Sequence, residues 1–163
     1  MPDSLPAAPP ARLITLRFLA EPSEVNFGGK VHGGTVMKWI DQAGYTAATG
    51  WSGQYCVTVY VGGIRFHQPV RIGELVEVTA RVILTGTTSM HLTVDVAAGD
   101  PKTRTMRPTT HCVIIFVAVD ADGKPTPVPA WAPATPEDAG LADYARRLMA
   151  LREGIEAEMS RFL

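Results

Sequence analysis

Residues 35–50, TVMKWIDQAGYTAATG, carry apolar or small side chains at Val36, Met37, Ile40, Ala43, Gly44, Ala47 and Ala48. This i, i+3/i+4 recurrence predicts an amphipathic helix with Lys38, Gln42 and Tyr45 on the other side. Its inward stripe is unusually small. A helix whose buried face includes Ala43, Gly44, Ala47 and Ala48 holds nothing at a distance, so a broad surface can approach its backbone closely. A curved sheet is the natural partner.

The chain supplies one. Residues 12–20, RLITLRFLA, read as a first strand that ends near Pro22. After the helix come VTVYVGGIRFHQPV, ELVEVTARVIL, SMHLTVDVAA and TTHCVIIFVAVD, separated by turn signals at residues 69–73, at Gly86 and at residues 99–101. In the second run Val76, Val78, Ala80, Val82 and Leu84 share one face, with Glu77, Thr79 and Arg81 opposite. The last run is apolar on both faces, which predicts an interior strand or one covered twice. Gly62-Gly63 interrupts the first run and predicts a bulge that bends it. The fold class is therefore α+β, with an antiparallel, curved sheet.

The flanks read differently. Residues 1–11 hold four prolines and little that could pack, so a disordered Pro-rich tail is expected there, with a single domain over 12–129. KPTPVPAWAPATP should cross the surface in extended form. Thr135 as N-cap, Pro136 at the first helical position and Asp138 in the first turn then open a second helix. Its stripe, Leu141, Tyr144, Leu148, Leu151, Ile155, Met159 and Phe162, must dock on the chain's own sheet or on a neighbouring subunit. Residues 130–163 thus form an extended segment and a C-terminal helix.

Global properties exclude several functions. The chain has 163 residues, 46% hydrophobic and 19% charged, with a formal net charge of −1 and no basic cluster, so nucleic acid is not an expected partner. Its two cysteines, Cys56 and Cys112, sit in apolar strand-like runs and read as buried free thiols of a reducing compartment. No Cys/His spacing of a metal site occurs, no run approaches the roughly 18 apolar residues of a membrane span, and the start lacks a signal-peptide pattern. The expected location is the cytoplasm.

NFGGKVHGGTVMKWIDQAG combines an Asn, a glycine turn, V-H-G-G and a helix with an acid a turn and a half in. This pattern resembles the signature of the acyl-CoA thioesterase branch of the hotdog fold. IRFHQPVRIGELVEV and TGTTSMHLTV are similar to further family segments, so the resemblance runs over residues 25–128. It implies a curved antiparallel sheet wrapped around a central helix, a homodimer as the minimal unit, a trimer of dimers as the favoured assembly, and acyl-CoA as substrate. CoA is then part of the substrate and no separate cofactor is needed.

Physical chemistry fits these residues to the task. Amides at a helix N-terminus are unpaired and lie at the positive end of its dipole, so Gly33 and Gly34 are candidates for an oxyanion site. Asp41 borders the apolar arc and is the candidate general base or nucleophile, two roles the sequence does not separate. By resemblance, Asp41 of one subunit faces Asn26 and the glycine turn of the other, with the Asn orienting water or polarising the carbonyl. His32 is a candidate at the substrate side, with holding the glycine turn as its simpler duty. Thr87, Thr88 and Ser89 are candidates for the CoA channel and otherwise a polar turn. His67, His91 and His111 read as structural or surface residues, and Met37, Trp39 and Tyr45 as candidates for setting channel depth. No G-x-S-x-G occurs, and none of Ser4, Ser23, Ser52, Ser89 and Ser160 lies in a nucleophile motif. The alternatives are a non-catalytic acyl-CoA sensor and, less well supported, a hydratase, whose His–acid motif is missing.

Overall fold

A computed structural model describes residues 10–163; the proline-rich stretch expected to be disordered lies mostly outside them. In chain order the elements are β1 (Leu13–Leu19), α1 (Gly33–Ser52), β2 (Cys56–Phe66), β3 (Leu75–Thr85), β4 (Ser89–Asp100), β5 (Thr105–Ala118) and α2 (Pro136–Met159). One five-stranded sheet has the order β1-β3-β4-β5-β2, and every pairing is antiparallel. The helix α1 touches all five strands. Five strands at about 4.8 Å spacing span roughly 19 Å, more than the ~10–12 Å width of a helix, so the sheet must curve around it.

The core is the interface between α1 and the concave face. Val76, Val78, Ala80 and Val82 of β3, Met90, Leu92, Val94 and Val96 of β4, and Cys112, Ile114 and Phe116 of β5 are buried against the α1 stripe. The period-two pattern therefore selects the face that meets the helix. Gly44 sets the closest approach: a Cβ there would lie 2.8 Å from Phe116 Cε2 and 3.2 Å from Ile114 Cγ2. Trp39 is buried and packs edge-on against Phe18 at 4.8 Å between ring centroids, so it belongs to the core and not to a channel wall.

Three expectations need correction. α1 starts at Gly33 instead of residue 35, because the His32 side chain caps it and makes both glycines helical. Leu84 does not continue the Val76–Val82 face: a bulge between Val82 and Leu84 turns Leu84 outward opposite His91 and puts Ile83, fully buried, out of phase. β5 starts at Thr105, ahead of the apolar run, and admits Pro108 beside a register shift between Val96 and Ala97, an irregularity of the kind where proline is tolerated in a sheet. The Gly62 bulge is present, and β2 carries another shift between Thr58 and Tyr60. β5 is interior and covered on both faces, which explains its unbroken apolar run.

The convex face is covered by α2. Thr135 caps it through Asp138 N at 3.1 Å, and Arg12 reaches Asp138 Oδ1 at 2.6 Å. Asp95 Oδ1, His111 Nδ1 (2.6 Å), His111 Nε2 and Tyr144 Oη (3.0 Å) form a chain from sheet to helix. Only the first half of the α2 stripe docks, through Ala142, Ala145, Tyr144 and Leu148; Leu151, Ile155, Met159 and Phe162 are exposed in the single chain. The proline segment runs extended past the end of α1, where Pro129 O accepts Trp51 Nε1–H at 2.9 Å and Thr87 O accepts Val128 N–H at 2.9 Å. Among the described residues no helix is long and apolar enough to cross a membrane.

Burial sets the titration of several groups. Both cysteines are free and buried, and burial pushes the Cys112 thiol up to about 12. His67 is exposed. His111 is held above the usual imidazole value by its bond to Asp95, so that contact stabilises fully below the ordinary value and fades as pH rises through the raised one. His91 behaves oppositely, since burial lowers it from 6.5 to about 4.

Two predictions follow from this packing. Gly44→Val should destabilise by about 1–3 kcal/mol through overpacking, while Gly50→Ala, in open space on the same helix, should stabilise by up to ~1 kcal/mol; urea denaturation that ranks them equally contradicts the tight approach. Below pH 6.5 the unfolded chain binds a proton that folded His91 refuses until about pH 4. His91→Leu should therefore lose less stability than wild type between those pH values, and an equal loss would refute the assignment.

Candidate active site

The segment before α1 folds into a small loop closed by a bridge between Val25 and Val31. Asn26 organises it. Its Oδ1 accepts the amides of Gly28 (2.9 Å) and Lys30 (3.1 Å), and its own amide donates to Lys30 O at 2.6 Å. Two backbone donors identify that atom as the oxygen, so Nδ2 is the outward-facing donor. Gly29 takes φ +77°, a turn conformation suited to glycine. Phe27, at the loop tip, is fully exposed.

The start of α1 is resolved bond by bond. His32 Nδ1 accepts the Gly34 amide at 3.1 Å, while His32 O accepts those of Thr35 (2.9 Å) and Val36 (3.2 Å). Gly34 is thus engaged in capping and is not a free donor. Gly33 alone of the two glycines keeps an amide with no hydrogen-bond partner among the described residues. His32 serves as the cap, through the nitrogen that faces the turn. A cleft of about 270 Å³ holds Asn26, Gly33, Phe66, His67 and Thr110 together.

Asp41 is not in that cleft. It is exposed on the next two turns of α1, and its Oδ1 accepts the hydroxyl of Thr58 on β2 at 2.6 Å. The carboxylate is therefore fixed by one oxygen, with the other free. Met37 and Tyr45, one turn to either side, are also exposed, as are Val59 and Val61 on β2 and Phe66 at its end. Gly33 and Asp41 are eight residues apart on one helix, about 12 Å along the axis. Thr87, Thr88 and Ser89 form the β3–β4 turn, where Thr88 O accepts the Ala118 amide at 3.0 Å. That turn lies by the C-terminal end of α1, so one chain does not bring it to Asn26 or Gly33.

Nothing in the sequence singles out Thr58, because a polar residue in an alternating strand reads as a solvent-facing position. Its 17-residue separation from Asp41 leaves no local signal. No group of three or more His, Cys, Asp or Glu able to hold a metal occurs among the described residues.

The chain is similar to known proteins in sequence and in fold. The family model of the thioesterase superfamily matches residues 28–105. The acyl-CoA thioester hydrolase YciA of Salmonella typhimurium is 37% identical over 120 residues, which cover 71% of this chain and 90% of YciA. An apo-hexameric acyl-CoA thioesterase superposes with a TM-score of 0.85 at 30% identity, over 92% of this chain and 97% of that one. An acyl-CoA hydrolase of Staphylococcus aureus, solved with butyryl-CoA, CoA and CoA disulfide, does so at 0.83 and 25% identity, over 92% of each chain. A helix of small residues in a curved antiparallel sheet, these identities and these superpositions together make the chain a hotdog-fold member of the thioesterase superfamily, in the acyl-CoA thioester hydrolase family.

Proposed function

We propose that the protein hydrolyses acyl-CoA thioesters to a carboxylic acid and CoA, at sites built by two subunits. Asp41 of one chain would face Asn26 and the Gly33 amide of the other. The supporting observation is the separation of about 12 Å between Asp41 and Gly33 on one rigid helix. A single carbonyl group cannot meet both ends within one chain, since donors and bases act at roughly 3 Å. Two antiparallel copies of α1 side by side remove that mismatch. The edge strand β2 and the uncovered apolar side chains around Asp41 favour such a pair. Three dimers would then form a hexamer, the assembly named for the apo-hexameric relative.

The chemistry needs few groups. Asp41, steadied by Thr58, either takes a proton from an attacking water or attacks the carbonyl carbon itself. As the C–O bond forms, negative charge collects on the carbonyl oxygen, where the Gly33 amide and the positive end of α1 stabilise it and Asn26 Nδ2 can add a second hydrogen bond. The C–S bond then breaks, and CoA departs as a thiolate that needs no strong general acid. On the base route Asp41 passes the proton it took from water to the departing thiolate or to solvent. On the nucleophilic route a water hydrolyses the acyl-Asp41 anhydride, which frees the acid and restores the carboxylate. No resident cofactor enters the reaction. A sensor that only binds acyl-CoA would have no use for a held carboxylate with one free oxygen, which favours hydrolysis.

Gly33→Pro isolates the oxyanion donor. Proline suits the first helical position, His32 already has the extended backbone that proline requires of its predecessor, and a Cβ at Gly33 meets only Phe66 at 3.7 Å. This variant should fold normally and lose about 10²–10³ in kcat; near-wild-type turnover would remove Gly33 from the mechanism. In a thiol-release assay Asp41→Asn should lose at least about 100-fold, and a loss under tenfold, roughly 1.4 kcal/mol, would mean that Asp41 is not the catalytic carboxylate. Thr58→Val should lower kcat by about tenfold with little change in KM; an effect on KM alone would assign Thr58 to binding.

A further inference from the structure

A second cavity, of about 150 Å³, lies on the opposite side of the sheet from Asp41, beneath α2. Its walls are apolar, with Val113 and Ile115 of β5 below and Ala145 and Leu148 of α2 above. Gly62 and Gly63 at the β2 bulge form part of its wall, and a Cβ at Gly62 would push aside the Tyr60 ring, whose Cε1 lies nearest that position. The space matches the roughly 150 Å³ of an apolar cavity that accepts a benzene-sized guest.

Two polar side chains interrupt this wall, His91 and Arg152. His91 is 5% exposed and its ring makes no hydrogen bond among the described residues. Arg152 stacks over the Tyr60 ring at 4.9 Å. Its Nε lies 3.1 Å from Glu156 Oε1, but the alignment makes no directed hydrogen bond, and this buried nitrogen is left without a partner. Buried donors without partners are rare and costly. Arg152 is the one charged residue that lines the cavity, and its ion-pair partner Glu156 does not line it.

We propose that this cavity binds a short-chain carboxylate of about six carbons, with the hydrocarbon between Val113, Ile115 and Leu148 and the carboxylate against His91 and Arg152. A carboxylate accepts from both the imidazole N–H and the guanidinium, giving His91 and the Arg152 Nε, which is buried without a hydrogen-bond partner, a shared acceptor. Arg152 is held by Tyr60 and Glu156, so little ordering accompanies binding. This assignment rests on the cavity and not on the hydrolytic reading. It gains a meaning from that reading, because thioester cleavage releases an acid of this class and would let product bind away from the cleft.

Hexanoate titrated into the intact protein, with His91 followed by NMR, tests the site directly. The His91 ring resonances should shift in a saturable way while those of exposed His67 stay put, and Arg152→Met should weaken the effect at least tenfold. Leu148→Trp, which fills the cavity, should abolish it, and Asp41→Asn should leave it unchanged. Hexanol should bind at least tenfold more weakly than hexanoate. An unmoved His91 in wild-type protein overturns the proposal whatever the state of catalysis. So does a shift that survives Leu148→Trp, that disappears in Asp41→Asn, or that hexanol reproduces at equal concentration.

Discussion

The close fit of one helix face into one sheet governs the rest of the molecule. Ala43, Gly44, Ala47 and Ala48 let the α1 backbone settle against Ile114 and Phe116, with no room for even one added methyl at Gly44. Large residues in the strands and small ones in the helix interdigitate as native cores require. The sheet bends because a single helix must satisfy five strands. Everything on α1 then has a fixed height and azimuth relative to β2.

That rigidity is what makes the site's geometry meaningful. With Trp39, Ile40 and Ala43 locked in the core, Asp41 has one place to be, at the boundary where Thr58 of β2 reaches its Oδ1. The N-terminus of the same helix is equally constrained, since His32 consumes the Gly34 amide and leaves that of Gly33 unpaired. In the proposed mechanism the base and the oxyanion donor are thereby held on one rod, about 12 Å apart and too far to serve one molecule of substrate. The exposed apolar residues Phe27, Met37, Tyr45 and Phe66 and the open edge of β2 are the surfaces that the proposed subunit pairing would cover.

Much of this was legible in the sequence because its signals are local. The small-residue stripe, the alternating runs, the Gly62-Gly63 bulge and the Thr135-Pro136 start of α2 each follow from the conformational limits of neighbouring residues. The failures were non-local. Leu84 keeps the right parity for the concave face, yet a bulge between it and Val82 reverses it. The α2 stripe looks continuous to Phe162, but helical periodicity says nothing about how far the surface beneath extends, and that surface ends soon after Leu148. Trp39 is adjacent to candidate channel residues in sequence and turns instead toward Phe18. Thr58 and the His32 cap are side-chain contacts that no periodicity encodes.

The central claim, a base and an oxyanion donor that meet only across two subunits, is open to subunit mixing. Asp41→Asn and Gly33→Pro chains would be purified separately, unfolded together, refolded and assayed for acyl-CoA hydrolysis. In a two-fold dimer each mixed pair has one site with both lesions and one with neither. Random pairing makes about half the dimers mixed, so activity should return to about a quarter of wild type from two nearly inactive parents. If the mixture stays as inactive as its parents while mixed dimers are demonstrably present, each chain carries its own complete site and the account is wrong.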